Sequence, residues 1–197
     1  MKIPVFGVSL LMFGSASLYG QATSTASRQF DLQAGGGFTL VKSDYQTKAF
    51  KGGALYATLD FTYHFGAEID FRQADSPTDP TYERTYEIGG RYHRNYGRFS
   101  PYGKGLYGRG VFNFVYDTYD PVTHKITSSK VVANLAYNEF AVGGGTDFRV
   151  MPWLNVRADY EYQMWRSFPP NGLTPQVLTF GVAYHFPGDL EKGRRFK

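Results

Sequence analysis

Along the stretch from Thr174 to Phe186 the chain changes character at every residue. Leu178, Phe180, Val182, Tyr184 and Phe186 are apolar, while Thr179, Gly181, Ala183 and His185 between them are small or polar. A period of two puts alternate side chains on opposite faces of an extended chain, so this stretch reads as a β-strand with one wholly apolar face. Taken alone, it also fits a half-buried strand of a soluble sandwich. The rest of the chain has to choose between these settings.

The same alternation recurs from Phe30 onward. Phe30, Leu32, Ala34, Gly36, Phe38 and Leu40 oppose Asp31, Gln33 and Thr39, and Leu55, Ala57, Leu59, Phe61, Tyr63 and Phe65 oppose Tyr56, Thr58, Asp60 and His64. Gly66 is expected to mark a tight turn, after which Ala67, Ile69 and Phe71 alternate with Glu68, Asp70 and Arg72. A fourth strand sets Tyr82, Tyr86, Ile88, Gly90 and Tyr92 against Glu83, Thr85, Glu87, Arg91 and His93. The fifth, from about Tyr102 to Tyr116, is less clear: the reading favoured here puts Leu106, Gly108, Gly110, Phe112 and Phe114 on the outer face and Tyr107, Arg109 and Asn113 inside, and a bulge could shift it. After a polar loop from Asp117 to about Lys130, Phe140, Val142, Gly144 and Phe148 oppose Glu139, Asp147 and Arg149. Leu154, Val156, Ala158, Tyr160, Tyr162 and Met164 then oppose Asn155, Arg157, Asp159, Glu161 and Gln163, and the closing strand follows.

About eight strands result, with short turns near Gly66, Tyr96 and Met151 alternating with longer loops near Tyr45, Thr78, Asp120 and Pro170. That layout belongs to small transmembrane barrels. A soluble lipocalin-like barrel would turn its apolar face inward, and composition alone does not reverse that choice. Strand length does favour inversion, because most apolar faces reach the ~9–11 residues of a tilted membrane crossing. The charges on those faces, Arg84 and Lys104, fall near expected strand ends, and Tyr63, Phe65, Tyr92, Tyr102, Trp153, Tyr184 and Phe186 would form an aromatic girdle on the short-turn side. The fold expected is therefore all-β, an up-and-down antiparallel transmembrane β-barrel of about eight strands.

From Phe30 to Phe186 the chain resembles the small eight-stranded outer-membrane β-barrel family that includes the OmpA-like transmembrane domain, OmpX-like proteins and opacity-type surface proteins. The resemblance extends to Tyr184-x-Phe186, which is similar to the C-terminal aromatic pattern read by the outer-membrane barrel assembly machinery; here a tail follows it. It implies a lipid bilayer as surroundings, residence in a Gram-negative outer membrane, and Tyr184 and Phe186 as an assembly signal.

The N-terminus fits such a destination. Lys2 precedes an apolar run from Ile3 to Leu18 and then Gly20-Gln21-Ala22, which reads as a secretory signal peptide cut after Gly20 or Ala22. An uncleaved anchor is the alternative, although the run is shorter than the ~20 residues a spanning helix needs. The expected division is 1–22 signal peptide, 23–29 linker, 30–186 barrel and 187–197 basic tail, whose Lys192, Arg194, Arg195 and Lys197 read as solvated. The chain has no cysteine, which excludes disulfides, thiol catalysis, thiolate metal sites and a lipidated N-terminus.

Chemistry is sparse. Gly103-x-Gly105-x-x-Gly108 matches a dinucleotide fingerprint only formally, since strand continues on its far side. His64, His93, His124 and His185 lack metal-ligand spacing, and none stands beside a nucleophile pattern on the long-loop side, where an enzyme of this size would need one. No cofactor and no catalytic residue is expected. A net charge of +4 is too small to argue for nucleic acid. What remains is the inward polar set: Asp60, Glu68, Asp70, Arg72, Glu87, Arg91, Arg109, Glu139, Asp147, Arg149, Arg157, Asp159 and Glu161. Both signs are present, as a plugged lumen of ion pairs requires. Arg91, Arg109, Glu87 and Glu139 are the expected partners, from other strands, of Arg157, Asp159 and Glu161. A narrow channel for ions or small solutes is the other use of such a face, and a soluble periplasmic binding barrel or a membrane enzyme are the competing classes. The long loops could meet lipopolysaccharide phosphates through Lys48, Lys51, Lys125 or Lys130, their extracellular ligand is not legible, and a monomer is expected.

Overall fold

Alternation becomes architecture in the computed structural model, which describes residues 30–119 and 126–186. Eight strands lie among them: β1 (Asp31–Lys42), β2 (Phe50–Asp60), β3 (Phe65–Asp75), β4 (Tyr82–His93), β5 (Phe99–Tyr119), β6 (Ile126–Met151), β7 (Leu154–Trp165) and β8 (Gln176–Phe186). Each pairs antiparallel with its neighbours in sequence, and β8 returns to β1, closing the barrel. Closure leaves no unpaired edge through the wall, the condition a backbone must meet in hydrocarbon. The expected signal peptide, the linker, the tail and the segment with His124 and Lys125 lie outside the described residues.

Period two decides the two faces. Phe38, Leu55, Ile69, Ile88, Phe180 and Val182 are each at least half exposed on the outer wall, whereas Thr39, Thr58, Glu68, Glu161 and His185 are buried inside. The soluble-barrel alternative fails on this inversion. The shorter strands run 11 or 12 residues, and at ~3.3 Å per residue a tilted strand of that length crosses a hydrocarbon core. At the short-turn rim Phe65, Tyr92, Phe99, Trp153, Tyr184 and Phe186 face outward, with Phe65 against Tyr92 at 5.2 Å and Tyr184 against Phe186 at 4.7 Å between ring centroids.

β5 and β6 are the long pair, 21 and 26 residues. The last β4 partner on β5 is Phe112, and the last β7 partner on β6 is Glu139; farther out the two strands pair only with each other, giving a ribbon about 23 Å long beyond Phe112. Much of the stretch expected as a polar loop after Asp117 is therefore strand.

Two sequence expectations are corrected. The first short turn is at 61–64, not at Gly66: Gly66 lies in β3 facing Asp60, whose Oδ1 would sit 2.1 Å from a Cβ placed there. β5 has the opposite face from the one favoured. Leu106 and Phe112 are buried inside, while Tyr107 and Arg109 are exposed outside. Paired residues on neighbouring strands share a face, and Lys104 pairs with Arg91 while Gly108 pairs with Glu87, so β5 is locked with Lys104, Leu106 and Gly108 toward the lumen. Tyr102 moves inward with them and leaves the expected girdle, and Lys104 leaves the lipid face for the barrel's interior. Arg84 stays outside near the long-loop end, donating to Gln73 Oε1 at 2.7 Å.

Candidate functional site

The polar side chains that alternation sends inward meet on the barrel axis. Among the described residues nine acidic side chains are buried there (Asp60, Glu68, Asp70, Glu83, Glu87, Glu139, Asp147, Asp159 and Glu161) with four basic ones, Arg72, Arg91, Lys104 and Arg157. All of them except Glu83 and Glu139 join two linked nodes of ion pairs. Toward the long loops, Arg72 donates to Asp70 at 2.7 Å, to the two Glu161 oxygens at 2.8 and 3.0 Å, and to Glu87. Lys104 Nζ lies 2.9 Å from Glu68, Asp70 and Asp159 and 3.0 Å from Glu161. Toward the short turns, Arg157 donates from Nε to Asp147 at 2.7 Å and from Nη1 to Glu68 at 3.1 Å, and Arg91 reaches the same two acids at 3.0 and 3.2 Å. Glu68 thus bridges the nodes. Aromatic rings complete the shell: the Arg157 guanidinium is 4.1 Å from the Tyr56 ring centre, Arg91 is 4.3 Å from that of Tyr102, and the Tyr102 hydroxyl donates to Asp159 at 2.7 Å.

Glycines make room for these long chains. Gly143 stands between Lys104 and Glu161 in the register, and Gly108 between Glu87 and Glu139, so neither adds bulk where two charged side chains cross. The three carboxylates Asp70, Glu87 and Glu161 come close enough together to hold a metal ion, but Arg72 is bonded to all three and Lys104 to two of them. Their charge is answered by side chains, and the arrangement does not fit a metal.

Above the ionic nodes the lumen turns apolar. Val41, Phe50, Ala74, Phe112, Trp165, Phe168, Leu173 and Val177 form a buried cluster at the long-loop mouth. Gln163 joins the two layers, donating to Glu87 at 2.7 Å and accepting from the Trp165 indole at 3.0 Å. The indole lies against Gly110, where a Cβ would come within 2.3 Å of the ring. Phe168 and Leu173 come from the loop 166–175 and Tyr45 from the loop 43–49, its ring centroid 4.8 Å from that of Phe112. Hydrogen bonds tie these loops across the mouth: Asp44 accepts from the Thr174 amide at 2.9 Å, and Asp79 accepts from Gln46 at 2.9 Å. Partial burial draws the Asp79 carboxyl upward, but hydrogen bonds from Thr81, Gln46 and Ser76 hold it below its ordinary value.

The other mouth is a small polar vestibule lined by residues including Asp60, Arg91, His93, Asp147, Arg149 and Asn155, with free space of about 30 Å³. That is room for about two water molecules. His93 Nδ1 lies 3.4 Å from Asp60, and His185 Nε2 lies 2.5 Å from Asp31.

Of the residues the sequence assigns to the lumen network, the structure places Glu87, Arg91, Glu139, Asp147, Arg157, Asp159 and Glu161 inside. Arg109 is not among them: it stands on the outer wall, donating to the Ala136 carbonyl at 3.3 Å. The partners expected for Arg157, Asp159 and Glu161 also change: Asp147 and Glu68 hold Arg157, and Lys104 and Arg72 rather than Arg91 or Arg109 meet Asp159 and Glu161. Both Glu139 carboxylate oxygens lack a hydrogen-bond partner among the described residues. Sequence reading missed Lys104 and Tyr102, and the signal that could have found them is the β4 partner of each, Arg91 and His93, already placed inside. Tyr184 and Phe186 stand on the outer face at the short-turn end of β8.

Comparison with known proteins agrees with this architecture. Solved structures that share the fold include Neisserial surface protein A (14% identity, TM-score 0.58, covering 80% of this chain and 97% of that one), the outer membrane protein OprG of Pseudomonas aeruginosa (15%, 0.55, 81% and 97%) and Ail, the attachment invasion locus protein of Yersinia pestis (20%, 0.52, 80% and 97%). No curated protein sequence matches. A family model described as the outer membrane protein beta-barrel domain matches residues 7–186. With the closed eight-stranded wall, its apolar exterior and its charged interior, the chain belongs to the outer membrane protein beta-barrel domain family.

Proposed function

We propose that this protein is a non-enzymatic outer-membrane barrel with a plugged lumen, whose rigid wall stabilises the envelope and whose loops meet partners outside the cell. The observation that carries the reading is the stack on the barrel axis: a buried ion-pair network under an apolar cap. A solute path would have to break ion pairs that face no water, and an eight-stranded interior is just wide enough for side chains to fill. The loop side offers the β5–β6 ribbon as the interaction or adhesion surface, with Tyr116 and Val132 each more than 60% exposed. Family membership supports the general kind of protein, and Ail, an attachment protein by name, shares the fold. The chain acts as a monomer, inserted by the barrel assembly machinery and surrounded by lipid.

The test is electrical. Purified wild-type protein in a planar bilayer is expected to show little or no steady conductance. A large, stable single-channel current that Arg157→Ala leaves unchanged would sink the plug and establish the narrow channel.

A further inference from the structure

The arginine that left the lumen has a counterpart on the same wall. Arg109 on β5 pairs with Asn138 on β6, and the amide of Arg166, just past β7, donates to the Asn138 carbonyl at 2.9 Å. Asn138 therefore stands between two arginines on three adjacent chain segments. Two strand spacings separate their backbones by about 10 Å, so two extended guanidiniums can converge on one group. Both line one recess of ≈ 610 Å³ together with Tyr107, Tyr137, Asn138 and Phe140. Among the described residues neither guanidinium has a carboxylate partner; Arg109 has only its 3.3 Å bond to a carbonyl. Glu139, the acid next to Asn138, turns its side chain to the lumen and is 1% exposed.

The recess sits at a boundary. Tyr107, Phe140, Ile88 and Val142 continue the apolar wall toward the short turns, and on the other side β5 and β6 leave the barrel as the ribbon. An arginine on the lipid face is costly at mid-membrane and tolerated only near the interface, where aromatic side chains also collect. Planar guanidiniums bind phosphate through paired, charge-assisted hydrogen bonds. We propose that Arg109, Asn138 and Arg166 form a headgroup site for a phosphate-bearing glycolipid of the outer leaflet, with Tyr107 and Phe140 packed along its sugar and first acyl carbons. The site rests on the outer-membrane placement with the long loops outside, and is independent of whether the lumen conducts.

Full-length protein refolded in detergent is titrated with bisphosphorylated lipid A and with the same lipid stripped of phosphate, and bound lipid is counted by native mass spectrometry. The phosphorylated lipid should bind at least about tenfold more tightly, and the double variant Arg109→Gln/Arg166→Gln should lose about tenfold or more of that affinity, while Arg94→Gln, an exposed cation at the short-turn end, loses none. Equal binding of the stripped lipid overturns the site, as does a double variant that still runs as a folded, heat-modifiable band and binds like wild type. Displacement of the lipid by inorganic phosphate at comparable concentration overturns the lipid assignment in favour of a free-anion site. Should the double variant fail to fold, the two lipids compared on wild-type protein decide the question by themselves.

Discussion

Arg157 and Arg109 are the same residue type in strands of the same barrel, and their environments make opposite demands. Arg157 is buried between Asp147 and Glu68 with its guanidinium over the Tyr56 ring, so removing it takes away one of the two guanidiniums those buried acids share and leaves the node one positive charge short, with Arg91 alone bridging the pair. Such truncations cost about 3–5 kcal/mol, because the remaining charge stays desolvated. Arg109 is exposed and bonded to one carbonyl, and its loss should stay within about 0.5 kcal/mol. Urea unfolding of the refolded barrel in lipid vesicles measures both. Equal midpoints for Arg157→Ala and Arg109→Ala would mean that the lumen network contributes nothing specific to stability.

At the scale of the strand, β8 carries two loads. Its outward residues build the wall, and its last aromatics pack on each other at the short-turn end. Phe186 is 46% exposed and Phe38 on β1 is 50% exposed, so the two lose similar contact with lipid when replaced by serine. A difference between them therefore reports on recognition during assembly rather than on wall stability. Phe186→Ser is expected to lower the surface level well below that of Phe38→Ser. If both variants reach the surface equally, Tyr184-x-Phe186 carries no assembly information in this chain.

At the scale of the whole molecule, the long-loop end is held unevenly around its rim. Three loops are tied together over the apolar cap through Asp44, Gln46, Asp79 and Thr174, and Asn113, Phe114 and Asn134 still hold the root of the β5–β6 ribbon, whereas its described backbone beyond them pairs only between the two strands. Protease reaches backbone that can leave its hydrogen bonds without unfolding a core. Trypsin added to intact cells should therefore cut first between Asp117 and Lys130, after Lys125. First cleavage after Arg94 or Arg98, at the opposite end, would mean that the barrel stands the other way up in the membrane.

For seven of the eight strands the face was legible before any coordinates, because each alternates side chains of opposite polarity over a full crossing: Arg157, Asp159 and Glu161 against Val156, Ala158 and Tyr160 leave one solution. Strand number and most of the lumen set follow from that local rule, and the inside-out character from strand length and the aromatic rim beside it. β5 escaped it. Gly103, Gly105, Gly108 and Gly110 carry no side chain, and what is left mixes polar and apolar residues on both faces, so the local signal is close to zero. Hydrogen-bonded pairing with β4 settles it, sending Lys104 and Tyr102 inward and Arg109 outward. The same holds for partners in the network. Which acid meets Arg157 depends on the stagger of strands around a closed wall and on the reach of long side chains across it, so Glu68, 89 positions away, holds it rather than Glu87 or Glu139. The cap needs the loop 166–175 folded back to place Phe168 on Phe112. Periodicity is a property of one strand and can be read along the chain; convergence on the axis is a property of the closed barrel, and only tertiary structure decides it.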